Sequence, residues 1–109
     1  MPADYCLVLC TCPDAGTARE LANALVENRK AACVNILPGL ISVYGWKGQV
    51  ESADEWLLLI KTASAGFDDL EAFIKARHPY EVPEIIAIPM VRGSMAYLDW
   101  MKTWLKRGG

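Results

Sequence analysis

The sequence predicts an α+β fold of the ferredoxin-like type, with the order strand, helix, strand, strand, helix, strand and one additional C-terminal helix. Two observations carry this prediction. Apolar runs of strand length alternate with segments whose apolar residues have helical spacing. In the middle of the chain, a short turn joins two long strands into a hairpin. A chain of 109 residues is close to the usual size of one domain, so residues 1–109 are expected to form a single domain.

The first strand and the first helix are the clearest local signals. The run Tyr5–Cys12 (YCLVLCTC) is almost wholly apolar, which is typical of a buried strand. Asp14 is a suitable N-cap, and Thr17 and Glu20 have the spacing of a capping box. The helix is expected to end near residues 28–30, where basic side chains suit the C-terminal end of its dipole.

A long β-hairpin is predicted for residues 31–62, AACVNILPGLISVYGWKG followed by QVESADEWLLLIKT. Pro38–Gly39 indicates a bulge, because proline cannot donate to a sheet ladder, and Lys47–Gly48 is the expected tip. Arms of more than twice the usual strand length would extend beyond the core of so small a chain. The aromatic side chains that would then need cover from another subunit are Tyr44, Trp46 and Trp56.

The second half of the chain predicts helix, strand and helix. Helical spacing favours a helix over residues 66–78, which Pro79 ends. Residues 84–90 (EIIAIPM) form a fourth strand, and Pro89 argues for an edge position or a strand end. Ser94 can cap a final helix, whose predicted apolar side carries Tyr97, Leu98, Met101, Trp104 and Leu105.

The predicted sheet leaves one face without cover. Right-handed crossovers would place the two internal helices on a single face, and the other face would be apolar and bare. Such a surface requires a partner. The hydrophobic fraction of 53% is also high for a small chain, which buries a smaller share of its surface than a large one. Self-association is therefore expected.

Composition excludes several classes of protein. The net charge of −2 and a pI of about 5.3 argue against nucleic-acid binding. The sequence contains no run of eighteen apolar residues, so no membrane-spanning helix is expected. Residues 1–4 lack the features of a signal peptide. A cytoplasmic location is therefore expected, with reduced thiols at Cys6, Cys10, Cys12 and Cys33. These cysteines do not have the paired spacing of a zinc ribbon.

Three segments together carry a resemblance to a known family. They are Cys10–Asp14; Ala31–Gly39 with the tip Tyr44–Gly48 and Glu55; and Lys61–Thr62 with His78–Ile85. Along essentially its whole length the chain resembles the CutA divalent-cation tolerance proteins. This resemblance implies a ferredoxin-like homotrimer that is involved in tolerance of copper and other divalent metal ions and acts by binding rather than by catalysis.

The resemblance also implies a set of copper ligands, with copper as a possible cofactor that folding does not require. Cys10 matches a family cysteine in the first strand, and His78 matches the second of two histidines before the Pro-Tyr pair. Cys33 matches a further family cysteine. The position of the first histidine is Arg77, whose guanidinium is permanently cationic and cannot act as a ligand.

Residue chemistry leaves two interpretations of these side chains open. Cys10 and Cys12 share a face of their strand, and such a pair could hold Cu(I), or both could be small buried hydrophobes. His78 could equally be a dipole partner at a helix end. The predicted topology places Cys10 and His78 at opposite ends of the sheet, so that they could share an ion only between subunits.

A second candidate site lies in the proline-bounded loop after His78. Tyr80, Glu81 and Glu84 could form a ligand cleft at a subunit boundary, or the loop could be a rigid connector. A nucleophilic Cys–His pair would need hydrogen-bond reach, which the predicted topology opposes, so no enzymatic activity is expected. The alternative function is a signalling or scaffold trimer similar to PII regulators, which binds a small ligand or a protein in this cleft.

Overall fold

Four strands and three α-helices follow one another along the chain in the predicted order. The computed structural model describes residues 3–106. The elements are β1 (Tyr5–Cys12), α1 (Ala15–Glu27), β2 (Cys33–Trp46), β3 (Gln49–Ala63), a 3-10 turn (Ser64–Gly66), α2 (Phe67–Lys75), β4 (Ile86–Pro89) and α3 (Met95–Lys106). The strands form one antiparallel sheet in the order β2–β3–β1–β4. The predicted α+β class is confirmed.

The hydrophobic core lies between one face of this sheet and the helices α1 and α2. Successive strand residues point to opposite faces, so alternate residues of β1 and β3 meet the two helices. Burying one such leucine or isoleucine contributes about 1.5–3 kcal/mol to stability. The core side chains are Cys6, Val8, Cys10, Cys12, Leu58 and Ile60 from the sheet, with Ala18, Leu21, Leu25, Leu70 and Ile74 from the helices and Ala31 from the turn before β2.

The hairpin of β2 and β3 extends beyond this core, as predicted. Its strands have 14 and 15 residues, and its tip has positive φ angles of 51° at Lys47 and 79° at Gly48, which a hairpin turn of the I′ type requires. Neither α1 nor α2 reaches the distal part. Ile41, Val43 and Val50 are 69%, 70% and 81% exposed there.

A bulge divides the hairpin at Pro38–Gly39. Leu37 pairs with Leu57 and Leu40 pairs with Glu55, so β2 has one residue more than β3 across this step. Gly39 has a φ of 81°, a conformation that favours glycine. The bulge predicted from this Pro–Gly pair is confirmed.

The chain ends on the second face of the sheet. β4 is an edge strand, as Pro89 predicts, although it is shorter than the predicted residues 84–90. Helix α3 packs against β3 and buries Met101 completely. The face that the sequence predicts to be bare is therefore partly covered, because the last helix folds back onto the sheet. Within residues 3–106, none of the helices is long and apolar enough to cross a lipid bilayer.

The start of α1 depends on the Asp14 carboxylate, which accepts a 2.7 Å hydrogen bond from the Thr17 amide. This bond lowers the pKa of Asp14 below its ordinary value of 3.8. We expect Asp14→Ala to lower the melting temperature at neutral pH, because the Thr17 amide loses its charged partner. The Asp14 carboxyl has a lower pKa in the folded state than in the unfolded state, so its ionised form stabilises the fold at pH values above the unfolded-state pKa. This stabilisation is lost as the pH falls through the folded-state pKa. The melting-temperature difference should therefore shrink below about pH 4.

Asp14→Asn is the matched control for this capping bond. It keeps an acceptor oxygen and removes only the charge, and asparagine caps helices about as well as aspartate. Its melting temperature should stay near that of the wild type, with little pH dependence of its own. An Asp14→Ala difference that is constant from pH 7 to pH 3 would contradict the assignment.

Candidate functional site

Two thiols and an imidazole meet at the carboxyl end of β1. Cys10 and Cys12 point into the core, and both side chains are fully buried. His78 follows α2 and is 8% exposed, with its own amide bonded to the Ile74 carbonyl at 2.8 Å. One ligand atom from each of these three residues lies within 4.8 Å of the others. We call these three residues the Cys/His cluster.

The prediction that Cys10 and His78 lie at opposite ends of the sheet is wrong. β3 is antiparallel to β1, and Ala63 at its end pairs with Tyr5. The connection to α2 therefore starts beside the beginning of β1, where the Ser64 amide donates to the Asp4 carbonyl at 2.8 Å. Helix α2 then runs alongside β1 and delivers His78 to its far end. A Cys–His site within one subunit follows.

Hydrogen bonds occupy both ring nitrogens of His78. Nε2 lies 2.8 Å from the carbonyl oxygen of Thr11, and Nδ1 lies 3.1 Å from the amide nitrogen of Tyr80. A carbonyl can only accept and an amide N–H can only donate. The network therefore assigns the neutral tautomer with the proton on Nε2 and the lone pair on Nδ1. This imidazole fastens the end of β1 to the loop after α2.

The two thiols of the cluster interact with each other. The Cys10 thiol donates to the Thr11 carbonyl oxygen at 3.9 Å. Interaction with the neighbouring Cys12 thiol, and then burial, raise the pKa of Cys10 far above its ordinary value. The same interaction lowers the pKa of Cys12, whereas burial opposes this shift. The negative charges of Glu84 and Glu55 raise the pKa of Cys10 further.

A cleft of about 660 Å³ adjoins the cluster. Its floor is Glu55, which is only 5% exposed and accepts a 2.6 Å hydrogen bond from the Tyr80 hydroxyl. Burial, and then this bond, raise the pKa of Tyr80 above its ordinary value. The Tyr80 ring also lies 4.8 Å from the His78 ring, centroid to centroid. The cleft is lined by Thr11, Ser42, Val43, Tyr44, Trp46, Glu55 and Tyr80–Glu84.

The structure therefore brings Tyr80, Glu81 and Glu84 together in one cavity. Sequence reasoning did not place Glu55 in this cavity, although a carboxylate directly before the apolar run of residues 56–60 is a signal that could have pointed to it. It also did not join Tyr44 and Trp46 to the cleft. They are 43% and 40% exposed at its rim, and they come from a strand far away in sequence.

Three other residues singled out in the sequence lie elsewhere. Cys33 is on the opposite face of the sheet from the cluster, where Lys61 Nζ lies 3.8 Å from its sulfur. Burial, and then the nearby Cys33 thiol, raise the pKa of Tyr97 on α3 above its ordinary value. Cys33 is not brought to Cys10. Trp56, predicted at a subunit interface, packs partly buried against the core. The Arg77 guanidinium turns back along α2 and stacks 3.6 Å from the Phe73 ring centroid.

Comparisons with known protein sequences agree closely with one another. A family model described as CutA1 divalent ion tolerance protein matches residues 6–104. The divalent-cation tolerance protein CutA of Thermus thermophilus is 52% identical over 96 residues, which cover 88% of this chain and 93% of that protein. Protein CutA of Homo sapiens is 43% identical over 102 residues, which are 94% of this chain and 57% of the human protein.

Solved structures give the same result. CutA from Xylella fastidiosa superposes with a TM-score of 0.91 at 40% identity, covering 94% of this chain and 99% of that one. The periplasmic divalent cation tolerance protein CutA from Archaeoglobus fulgidus superposes with a TM-score of 0.90 at 37% identity, covering 93% and 98%. The similarity in fold therefore extends over more than nine tenths of this chain.

Proposed function

Because the chain belongs to the CutA1 divalent ion tolerance protein family, we propose that it acts in metal-ion tolerance by binding copper at the Cys/His cluster, without catalysing a reaction. The observation that carries this proposal is the convergence of two thiols and an imidazole within 4.8 Å of one another. Thiolate and imidazole are the soft and borderline donors that copper and zinc prefer. Among residues 3–106, no other group of three potential ligands is this close.

Calorimetric titration of the wild type and of Cys10→Ala tests this proposal with Cu(I), Cu(II) and Zn(II). We expect one copper ion per chain in the wild type and no measurable site in Cys10→Ala. Cys6→Ala is the matched control, because Cys6 is a thiol of the same strand and face, 3% exposed, that lies outside the cluster. If none of the three ions produces heat with the wild type, the metal proposal fails.

The same proposal includes the ferredoxin-like fold and the homotrimer. The strand order β2–β3–β1–β4 with two helices on one face supports the fold assignment. Exposed apolar side chains on the distal hairpin support assembly, since a monomer rarely leaves such a stripe in water. Tyr44 and Trp46 at the rim of the cleft would then lie at or near the boundary between subunits.

A cytoplasmic location is also part of this proposal. A reducing compartment would keep the cluster as free thiols, which is the form that can bind a soft metal ion. The Archaeoglobus fulgidus relative is called periplasmic, so fractionation of native cells is the direct test. Recovery of the protein in a periplasmic fraction would contradict this part of the proposal and leave the metal site untouched.

The alternative is a signalling or scaffold trimer that binds a small ligand or protein in the cleft. Its volume of about 660 Å³ is within the range of small-molecule sites. Glu55, Glu81 and Glu84 line it, and among residues 3–106 no lysine, arginine or histidine forms an ion pair with them. Three carboxylates beside aromatic rings favour a cationic ligand.

A thermal-shift screen of small organic ammonium compounds and their uncharged analogues tests this alternative. If the cleft binds a cation, only the charged members should raise the melting temperature, by mass action on the folded state. Glu84→Gln should abolish the shift, whereas Glu71→Gln, which removes a carboxylate on α2 outside the cleft, should not. Equal shifts with charged and uncharged compounds, or no shift at all, would contradict a cation site.

A further inference from the structure

The role of Cys12 goes beyond the ligands that the family resemblance implies. We propose that Cys10 and Cys12 together form a two-thiolate site for monovalent copper, Cu(I), while His78 keeps its two hydrogen bonds and does not ligate. This inference rests on the proposed metal-binding function and narrows it to one pair of donors and one oxidation state. It rests on a motif in this sequence, whose first strand ends in Cys10-Thr11-Cys12.

The positions of the two sulfur atoms suit an ion between them. Residues 10 and 12 are two apart on one strand, so their side chains project side by side from the same face. Their sulfur atoms lie no more than 4.8 Å apart. Two metal–sulfur bonds of about 2.3 Å each span nearly this distance. An ion could therefore bind with little movement of β1.

His78 cannot bind a metal ion without losing a hydrogen bond that it makes to the backbone. A neutral imidazole has one acceptor nitrogen, and Tyr80 already donates to it. If the ion took Nδ1, the Tyr80 amide would lose its acceptor. If the ion took Nε2, the ring proton would move to Nδ1 and the Tyr80 amide would face a donor. Either route leaves the half-buried Tyr80 amide without its acceptor, which disfavours ligation by His78.

Arg77 offers no replacement for a missing histidine. Its guanidinium has no lone pair for a metal, and it lies on the Phe73 ring with Nη1 donating to the Phe73 carbonyl at 3.3 Å. The atoms of the cluster that can ligate a metal ion without breaking a hydrogen bond of His78 are thus the two sulfur atoms.

Two buried thiolates select the class of ion. Structural Zn²⁺ sites are almost always four-coordinate, and this cluster has two free donors in a site where both cysteines are fully buried. Hard divalent cations prefer oxygen donors. Cu(I) is a soft d¹⁰ ion that thiolates select and that is satisfied by two of them. Binding converts two thiols into two thiolates and releases two protons to solvent, with no change in the oxidation state of copper.

Competition for Cu(I) under anaerobic conditions tests this inference on the full chain. The probe is the Cu(I)–bicinchoninate complex, whose colour falls as the protein takes the ion. We expect one Cu(I) per wild-type chain. Cys10→Ser and Cys12→Ser should each weaken binding about 100-fold or more. Cys6→Ser, with a buried thiol of the same strand replaced, and His78→Gln, whose amide can replace both hydrogen bonds, should stay within about tenfold of the wild type.

X-ray absorption at the copper edge of the loaded wild type provides a readout that does not depend on any variant folding. Two sulfur neighbours and no nitrogen are expected. A nitrogen neighbour, or a loss in His78→Gln as large as in Cys12→Ser, would overturn the two-thiolate assignment. Cys12→Ser with wild-type affinity would do so as well, while the proposed metal function would stand through Cys10. A wild type that binds no Cu(I), Cu(II) or Zn(II) would defeat both.

Discussion

Replacing Ile41 and Val43 together by lysine is expected to dissociate the proposed homotrimer into single chains. The two side chains are two residues apart on β2, so they share a face of the hairpin, and they are 69% and 70% exposed in the single chain. A neighbouring subunit that covers them would enclose two unpaired ammonium groups, each at a cost of several kcal/mol. Sedimentation velocity in dilute buffer should therefore give a species near 12.0 kDa for the double variant.

The wild type should sediment near three times that chain mass under the same conditions. Ala72→Lys with Ala76→Lys is the matched control, because both alanines are exposed on and just after α2, away from the hairpin. This control adds the same charge and should leave the assembly intact. A well-folded wild type at the mass of one chain would remove the basis for assembly altogether.

Removing the His78 imidazole is expected to cause the largest loss of stability from a single polar residue. His78→Ala leaves the buried Thr11 carbonyl and the half-buried Tyr80 amide without their partner. A buried group left unsatisfied costs about 1–3 kcal/mol. The ring also fills space next to the core. We expect a loss of about 2–4 kcal/mol in the free energy of unfolding, measured by urea denaturation at one fixed protein concentration.

His78→Gln separates the hydrogen bonds from the rest of the ring. The glutamine amide can donate to Thr11 and accept from Tyr80, so we expect it to recover about half or more of the loss. If His78→Gln were as unstable as His78→Ala, the hydrogen bonds would not be the cause, and the tautomer assignment would lose its support.

Much of the fold can be predicted from local signals in this sequence. The apolar run of β1, the capping residue Asp14, the Pro–Gly bulge and the Lys–Gly tip all act over a few neighbouring residues, and each is found in the structure. Side-chain alternation likewise places Cys10 and Cys12 on one face without knowledge of the rest of the chain.

The candidate site is harder to predict because it is assembled from distant segments. Whether His78 meets Cys10 depends on the direction of β3 relative to β1, and one error in strand direction moves the histidine by the length of the sheet. Glu55 enters the cleft through its bond to Tyr80, 25 positions away in sequence. Such pairings depend on the register of the sheet and on loop paths, which single-residue patterns do not encode.

The extra residue at Pro38–Gly39 changes which side chains of β2 face each side of the sheet. Before the bulge, even-numbered residues of β2 such as Ile36 pair with residues such as Leu58, whose side chains face the helices. After it, even-numbered residues such as Ser42 and Tyr44 pair with residues of β3 that share a face with Glu55, on the other side of the sheet. The inserted residue thus inverts the phase of the strand. It sends a hydroxyl and a phenol toward the cleft and Ile41 outward. Deleting one residue here would exchange the side chains on the two faces of the distal hairpin. This single bulge therefore decides which face is polar and which is apolar.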